Sequence, residues 1–77
     1  RRKELVKFIS EISEKFKVSI RGIRRKYLDE IKKLEKEKNL SIDESKKYHE
    51  EIQNITDNSI NDIEKLTNSK ESEILKV

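Results

Sequence analysis

The sequence predicts an all-α protein made of two long antiparallel amphipathic helices joined by a short turn near residues 39–41. Composition is the first of three observations behind this prediction: 45% of the residues are charged, 31% are hydrophobic, Pro is absent and Gly occurs once. Such a composition is typical of long helices that pack along narrow seams. The other two observations are apolar residues at helical spacing and one capping signature in mid-chain. Because the chain has 77 residues, we expect a single domain over residues 1–77.

The first helix is predicted over about residues 2–38. Its apolar residues recur at steps of three and four, which is the period of an α-helix. The members of this apolar stripe are Leu5, Ile9, Ile12, Phe16, Ile20, Ile23, Tyr27, Ile31 and Leu34. The stripe is interpreted as the seam against the second helix.

The second helix is predicted over about residues 42–75. Asn39 tolerates the left-handed backbone that follows many helix ends, so the first helix should end near Lys38. Ser41 and Glu44 then form the capping box that starts a new helix. The stripe of this helix comprises Tyr48, Ile52, Ile55, Ser59, Ile63, Leu66, Lys70 and Ile74. Because the connection is so short, the two helices should be antiparallel neighbours.

Apolar residues outside the two stripes indicate a third packing partner. Phe8, Val18 and Ile60 widen the apolar surface, and a two-helix hairpin covers only one side of each helix. The partner is either a helix outside this chain or a second copy of it, which gives a four-helix assembly by self-association.

The sequence has few residues that could catalyse a reaction or hold a metal ion or cofactor. There is no Cys, so thiolate metal sites and disulfides are excluded. His49 is the single His, whereas a zinc-protease helix needs two His four residues apart. Neighbouring carboxylates such as Asp29 and Glu30 point about 100° apart on a helix and do not share a site. We expect no enzyme, no metal, no cofactor and, without a run of about 18 apolar residues, no membrane partner.

A basic window spans residues 15–28, where six basic side chains occur without one acid. Residues 1–38 carry a net charge of +7 and residues 39–77 carry −4. On a helix, Arg21, Arg24 and Arg25 are related by steps of three and four and form one patch, with Lys17 a turn earlier. This patch is predicted to point outward, roughly 120–130° away from the apolar stripe.

The arginine patch favours a phosphate-bearing partner. Arg binds phosphate through a planar bidentate fork, and clustered like charges repel one another unless an anion relieves them. Nucleic acid is the first interpretation, a solvated face without a partner is the alternative, and an anionic membrane ranks last because the apolar stripe is used in the seam. Inside a helix, Gly22 lowers the stability of the helix by about 1 kcal/mol relative to Ala. It either lets a ligand approach the backbone or has no role.

Three segments of the sequence resemble the carboxy-terminal part of ribosome recycling factor. They are RRKELVK, KVSIRGIRRKYLDEIKKLEKEKNLSIDE and EEIQNITDNSINDIEKL. The most specific parts are the arginine run, then LEKEKNLSIDE across the turn, then IQNITD. The resemblance covers nearly the whole chain with its spacing preserved. It implies two helices of a long three-helix bundle, with the family's first helix and its inserted β-rich domain missing.

The resemblance also implies a function. Members of the family act with elongation factor G to split post-termination ribosomes, and they are not enzymes. Their bundle lies across the tRNA sites of the large subunit and contacts ribosomal RNA through its arginine-bearing helix. Arg21, Arg24 and Arg25 match the family's arginine run, and Arg24 matches its most critical member. The family usually has Asn at Gly22 and Asp at Lys26, which leaves the local contacts of these two positions open.

Two expectations concern the cellular setting and the competing function. Frequent Ile, Lys and Asn are typical of A+T-rich coding. They predict an organellar protein, of an apicoplast or a mitochondrion, ahead of a cytoplasmic protein of an A+T-rich bacterium. The competing function is a structural coiled-coil or helical-hairpin interaction module with an incidental basic face. Such a module should spread its salt bridges evenly along both helices.

Overall fold

The computed structural model describes residues 1–76 as two long α-helices lying side by side. Helix α1 spans Arg2–Lys36 and helix α2 spans Ile42–Leu75. The Cα atoms extend over 58 × 15 × 8 Å. The predicted all-α hairpin is confirmed, and the helix bounds agree with the prediction to within two residues. Val77, the end of the predicted domain, lies outside the described residues.

The helices run antiparallel and contact each other along most of their length. The Ser13 hydroxyl of α1 meets Thr67 of α2, whereas Arg24, farther along α1, meets Gln53, which lies earlier on α2. The residue number of the contacting α2 residue falls as that of the α1 residue rises, as antiparallel helices require. Within residues 1–76, neither helix has a stretch that is long and apolar enough to cross a membrane.

Helix α1 ends in a Schellman motif that begins the chain reversal. Lys38 has a left-handed backbone with φ 61°, and its N–H donates to the Glu35 carbonyl at 3.0 Å. The Asn39 N–H donates to the Leu34 carbonyl at 2.9 Å. These bonds satisfy carbonyls that the end of a helix leaves without partners. The prediction that Asn39 takes the left-handed conformation is wrong, because α1 ends at Lys36 and the motif therefore falls one residue earlier.

The predicted capping box at the start of α2 is confirmed. The Ser41 Oγ accepts the Glu44 N–H at 3.0 Å, and the Glu44 Oε1 accepts the Ser41 N–H at 3.1 Å. Asp43 and Glu44 place negative charge in the first turn, where the helix dipole favours it. The start of α2 is therefore determined by local sequence alone.

Small polar residues make the line of contact between the helices. Ser13, Ser45 and Thr56 are buried, each at most 6% exposed. The Thr67 and Ser13 hydroxyls are hydrogen-bonded to each other at 3.0 Å across the interface. Ile31, 8% exposed, is the one apolar residue counted as buried among those described. Small side chains at the contact allow two helix axes to approach closely, but they bury little apolar area.

The predicted apolar stripes line an open groove along one face of the hairpin. Ile23 is 56% exposed and Tyr27 is 58% exposed. The groove contains two shallow depressions, of about 390 and 360 Å³. Their apolar lining residues are Ile9, Ile12, Phe16, Ile20, Ile23, Tyr27, Ile52, Ile55, Ile63 and Leu66. The interpretation of the stripes as the seam is therefore only partly right, because these ten members line the groove and some of them, such as Ile23 and Tyr27, are more than half exposed.

An open groove of this kind bears on the predicted third partner. Phe8 and Val18, which the sequence singled out, are 59% and 64% exposed, and Ile60 is half-buried. Contiguous exposed apolar surface on this scale marks an interaction site in soluble proteins. None of these three residues lines the two depressions, so the apolar surface open to a packing partner comes from the groove residues of the stripes themselves.

Candidate nucleic-acid interface

The basic window lies wholly on α1 and presents two arginines to solvent. Arg21 and Arg25 are exposed and stand one helical turn apart. Neither forms an ion pair with any acid in the described part of the chain. Two uncompensated guanidinium groups at this spacing repel each other and offer paired donors to a phosphate.

Arg24 lies differently, at the edge of the contact between the helices. Its side chain is half-buried, and its Nε–H donates to the Gln53 Oε1 of α2 at 3.0 Å. The prediction that all three arginines point outward is wrong for Arg24. The cause is the position of the contact line, which runs one residue later on α1 than the apolar stripe and therefore includes the residue after Ile23. The terminal nitrogens of Arg24 bond to no group among residues 1–76.

Gln53 and Asp57 are polar partners that the sequence reasoning missed. The Gln53 Nε2 donates to the Asp57 Oδ1 at 2.8 Å, so Arg24, Gln53 and Asp57 form a chain of two hydrogen bonds. Both α2 residues belong to the segment IQNITD, which carried the family resemblance but received no role. A Gln four residues before an Asp is a recognised helix pair. Its reach to α1, however, depends on the alignment of the two helices.

Lys17 occupies an interhelical ion-pair site. Its side chain is 13% exposed, and its Nζ lies 3.3 Å from the Glu64 carboxylate of α2 and 3.4 Å from Glu14. Partial burial by itself lowers the pKa of Lys17, but the hydrogen bonds and charges of Glu64 and Glu14 outweigh burial. The pKa therefore stands above its ordinary value of 10.5. The outward orientation predicted for this residue is wrong, and its charge is engaged within the chain.

The other positions of interest are exposed. Gly22 lies on the surface, and a Cβ built there meets nothing within 4 Å. Lys26 is exposed beside the arginines, and His49 is an exposed residue of α2. Among residues 1–76, no group of three His, Cys, Asp or Glu side chains is placed to hold a metal ion.

Comparison with known proteins identifies relatives of the whole chain. The family described as ribosome recycling factor matches residues 1–75. The chain is 52% identical over all of its 77 residues to the ribosome-recycling factor of Prochlorococcus marinus strain NATL1A, of which it covers 42%. It is 47% identical over 77 residues to that of Listeria monocytogenes strain EGD-e, again covering 42%. The Campylobacter hominis protein of the same name is 51% identical over 76 residues, with 41% of its length covered.

The extent of these matches has two consequences. The chain spans about two fifths of the length of the curated relatives it matches. These relatives are bacterial and lend no support to the preference for an organelle. No solved structure matches the chain. Since the family match covers nearly every residue and includes both helices and the turn, the chain belongs to the ribosome recycling factor family.

Proposed function

We propose that this chain is the arginine-bearing part of the helical bundle of a ribosome recycling factor and that it binds ribosomal RNA of the large subunit. Arg21, Arg24 and Arg25 make the phosphate contacts, with Lys17 next to them. The full-length protein occupies the tRNA sites and acts with elongation factor G to dissociate ribosomes after termination. The chain itself has no catalytic role and needs no cofactor.

The observation that carries this proposal is the uncompensated charge of the three arginines. Acids are plentiful on both helices, yet the ion pairs between described residues involve only Lys17 and Lys70. Guanidinium groups without acidic partners retain their full attraction for phosphate, and they match its geometry through two parallel N–H donors. A positive surface also accelerates association with a polyanion such as RNA.

Lys17 has a weaker claim to a direct contact than the arginines. Its ammonium already serves two carboxylates, Glu14 and Glu64. An RNA phosphate would have to compete with both for the same donors. We therefore assign the main binding to the arginines and give Lys17 a contact only where the RNA approaches α1 closely enough to displace one carboxylate.

The open apolar groove receives a third helix in this proposal. The curated relatives are more than twice as long as the chain, and the bundle of the family supplies a helix of matching shape. Covering the groove would remove Phe16, Ile23 and Tyr27 from water. A second copy of the chain is the rival occupant, and sedimentation of the isolated chain distinguishes the two. A concentration-independent monomer contradicts self-association.

The bacterial relatives support a setting in the cytoplasm of a bacterium, where ribosomes are recycled. The competing function, a structural hairpin module with an incidental basic face, predicts salt bridges spread along both helices. Only three ion pairs join described residues, and two of them involve Lys17 inside the basic window. The support for RNA binding over this alternative is therefore the acid-free run of residues 15–28 and the exposed Arg21 and Arg25 within it.

Charge reversal tests the proposal. The full-length protein with Arg21→Glu and Arg25→Glu should bind large ribosomal subunits far more weakly than the wild type. The matched control is Lys46→Glu with Lys65→Glu, which gives the same change in net charge at two exposed lysines of α2 that form no ion pair with any described residue. Equal affinities of the two double variants would overturn the proposal.

A further inference from the structure

We propose that Gln53 and Asp57 of α2 are positioning residues for Arg24, orienting its guanidinium for an end-on contact with an RNA phosphate. The inference rests on the proposed function, since it assumes that Arg24 binds RNA. It adds to the interface two residues of the other helix that carry no positive charge. These residues act through Arg24 and need not touch the RNA themselves.

The bond from Arg24 decides which edge of its guanidinium stays available. A guanidinium offers two bidentate edges, one made of Nε–H with one terminal amino group and one made of both terminal amino groups. The Nε–H is taken by the Gln53 Oε1 at 3.0 Å. Only the edge formed by the two terminal amino groups remains available for bidentate binding. A phosphate must therefore approach the guanidinium end-on.

Asp57 determines which atom Gln53 turns toward Arg24. A side-chain amide can present either its oxygen or its nitrogen to a neighbour, but Arg24 only donates and therefore needs the oxygen. The ionised Asp57 only accepts, and it takes the Gln53 Nε2–H at 2.8 Å. The two requirements agree, because an amide whose nitrogen faces Asp57 places its oxygen on the Arg24 side.

Pre-ordering Arg24 should strengthen RNA binding without any new contact to RNA. An arginine side chain loses conformational freedom when it is immobilised at an interface, at a cost of roughly 0.5–1.5 kcal/mol in binding, which is about a twofold to twelvefold change in affinity. Part of this conformational freedom is already lost in the free protein, where Arg24 is half-buried and hydrogen-bonded to Gln53. Less of it is therefore lost when RNA binds. Because the holding residue lies on α2, the orientation of Arg24 also depends on the alignment of the two helices.

The first test is a double-mutant cycle in the full-length protein, with affinity for large ribosomal subunits as the readout. Gln53→Ala should weaken binding by about threefold to tenfold. In the Arg24→Ala background the same change should have almost no further effect, because the residue it positions is gone. The matched control is Asn54→Ala, which truncates the neighbouring exposed amide that forms no side-chain hydrogen bond among residues 1–76.

The second test separates amide orientation from net charge. Asp57→Asn removes one negative charge, which alone should improve binding to RNA. Asp62→Asn makes the same change at an exposed acid of α2 that forms no ion pair within residues 1–76. Since an Asn at 57 no longer forces the Gln53 nitrogen toward itself, we expect Asp57→Asn to bind about threefold more weakly than Asp62→Asn. Equal affinities of the two variants would contradict a role for Asp57.

A spectroscopic readout excludes a merely structural role. In the free protein, the Arg24 Nε–H NMR signal should exchange slowly with water, and Gln53→Ala should make it exchange fast while the unfolding midpoint stays the same. The possible failures are distinguishable. If Arg24→Ala itself leaves binding unchanged, the RNA contact of Arg24 is wrong; if it weakens binding but Gln53→Ala does not, or if the two losses add, only the positioning role is wrong.

Discussion

The salt dependence of RNA binding should distinguish the arginines from Lys17. Each phosphate neutralised by a protein cation releases bound counterions, and the slope of log affinity against log salt is about −0.9 per contact on a duplex and about −0.7 on a single strand. Arg21, Arg24 and Arg25 form no ion pair with an acid in the described part of the chain, whereas Lys17 lies 3.3 and 3.4 Å from two carboxylates. The three arginines together should therefore make this slope steeper by roughly 2–2.7. Lys17 should contribute almost nothing to it.

Single neutral variants measure these contributions. We expect Arg21→Gln and Arg25→Gln each to make the slope shallower by about 0.7–0.9, because each removes one phosphate contact. Lys17→Gln should leave the slope nearly unchanged, since RNA binding releases few counterions at a cation already paired within the protein. Lys65→Gln, at an exposed lysine of α2 outside the basic window, controls for the loss of one charge.

The assay is the affinity of the full-length protein for large ribosomal subunits between about 50 and 200 mM salt, where the dependence is steep. Affinity at a single salt concentration does not suffice, because a change in net charge alters it without any contact being lost. A slope that falls as much for Lys17→Gln as for Arg21→Gln would refute the reasoning from ion pairing. A slope that is the same for wild type and both arginine variants would refute the RNA interface itself.

The remaining predictions, for five substitutions, concern the stability of the chain, measured by denaturant unfolding followed by circular dichroism. Ile31→Ala should cost about 2 kcal/mol, at the low end for a buried Ile in so thin a core, while Ile23→Ala should cost under about 1 kcal/mol here and more in the full-length protein if a third helix covers the groove; equal costs in both proteins would contradict that covering. Ser41→Ala should cost about 1 kcal/mol through loss of the cap, and a change that leaves stability intact would contradict its importance. Gly22→Ala should stabilise by up to about 1 kcal/mol, because open space surrounds the position; destabilisation would reveal a need for glycine. The stability advantage over Lys17→Met should be constant from neutral pH to about pH 10.5, where both carboxylates and the ammonium are charged, and disappear as pH rises through the raised pKa of Lys17, since a group whose pKa is raised by folding stabilises the protein only while protonated; an advantage that persists unchanged at higher pH would contradict the ion pairs.

Local signals in the sequence determined the fold class and the ends of the helices. The three-and-four spacing of apolar residues reports helix directly, because it depends only on the helical turn. The capping box at Ser41 and Glu44 is a contact within four residues and formed as predicted. The left-handed residue was misplaced from Lys38 to Asn39, because both residues lie next to the helix end and the chain offers no Gly there to decide between them.

The arginine patch was only partly predictable. Its exposed members Arg21 and Arg25 follow from helical geometry applied to α1 alone. Arg24 and Lys17 turned toward α2, because the contact line runs beside the apolar stripe rather than through its centre. Helical periodicity assigns a residue to a face, but it does not say which part of a broad face meets the neighbouring helix.

The sequence by itself determined the two helices, the turn that joins them, the acid-free basic window and the family to which the chain belongs. What only the tertiary structure decided is how the helices are rotated and aligned against each other. Small residues such as Ser13, Thr56 and Thr67 permit a close polar contact, and this leaves the larger apolar side chains on an open face. The same alignment brings Gln53 opposite Arg24, residues 29 positions apart in the chain. No local pattern encodes such a pair, because its distance depends on the packing of one whole helix against the other.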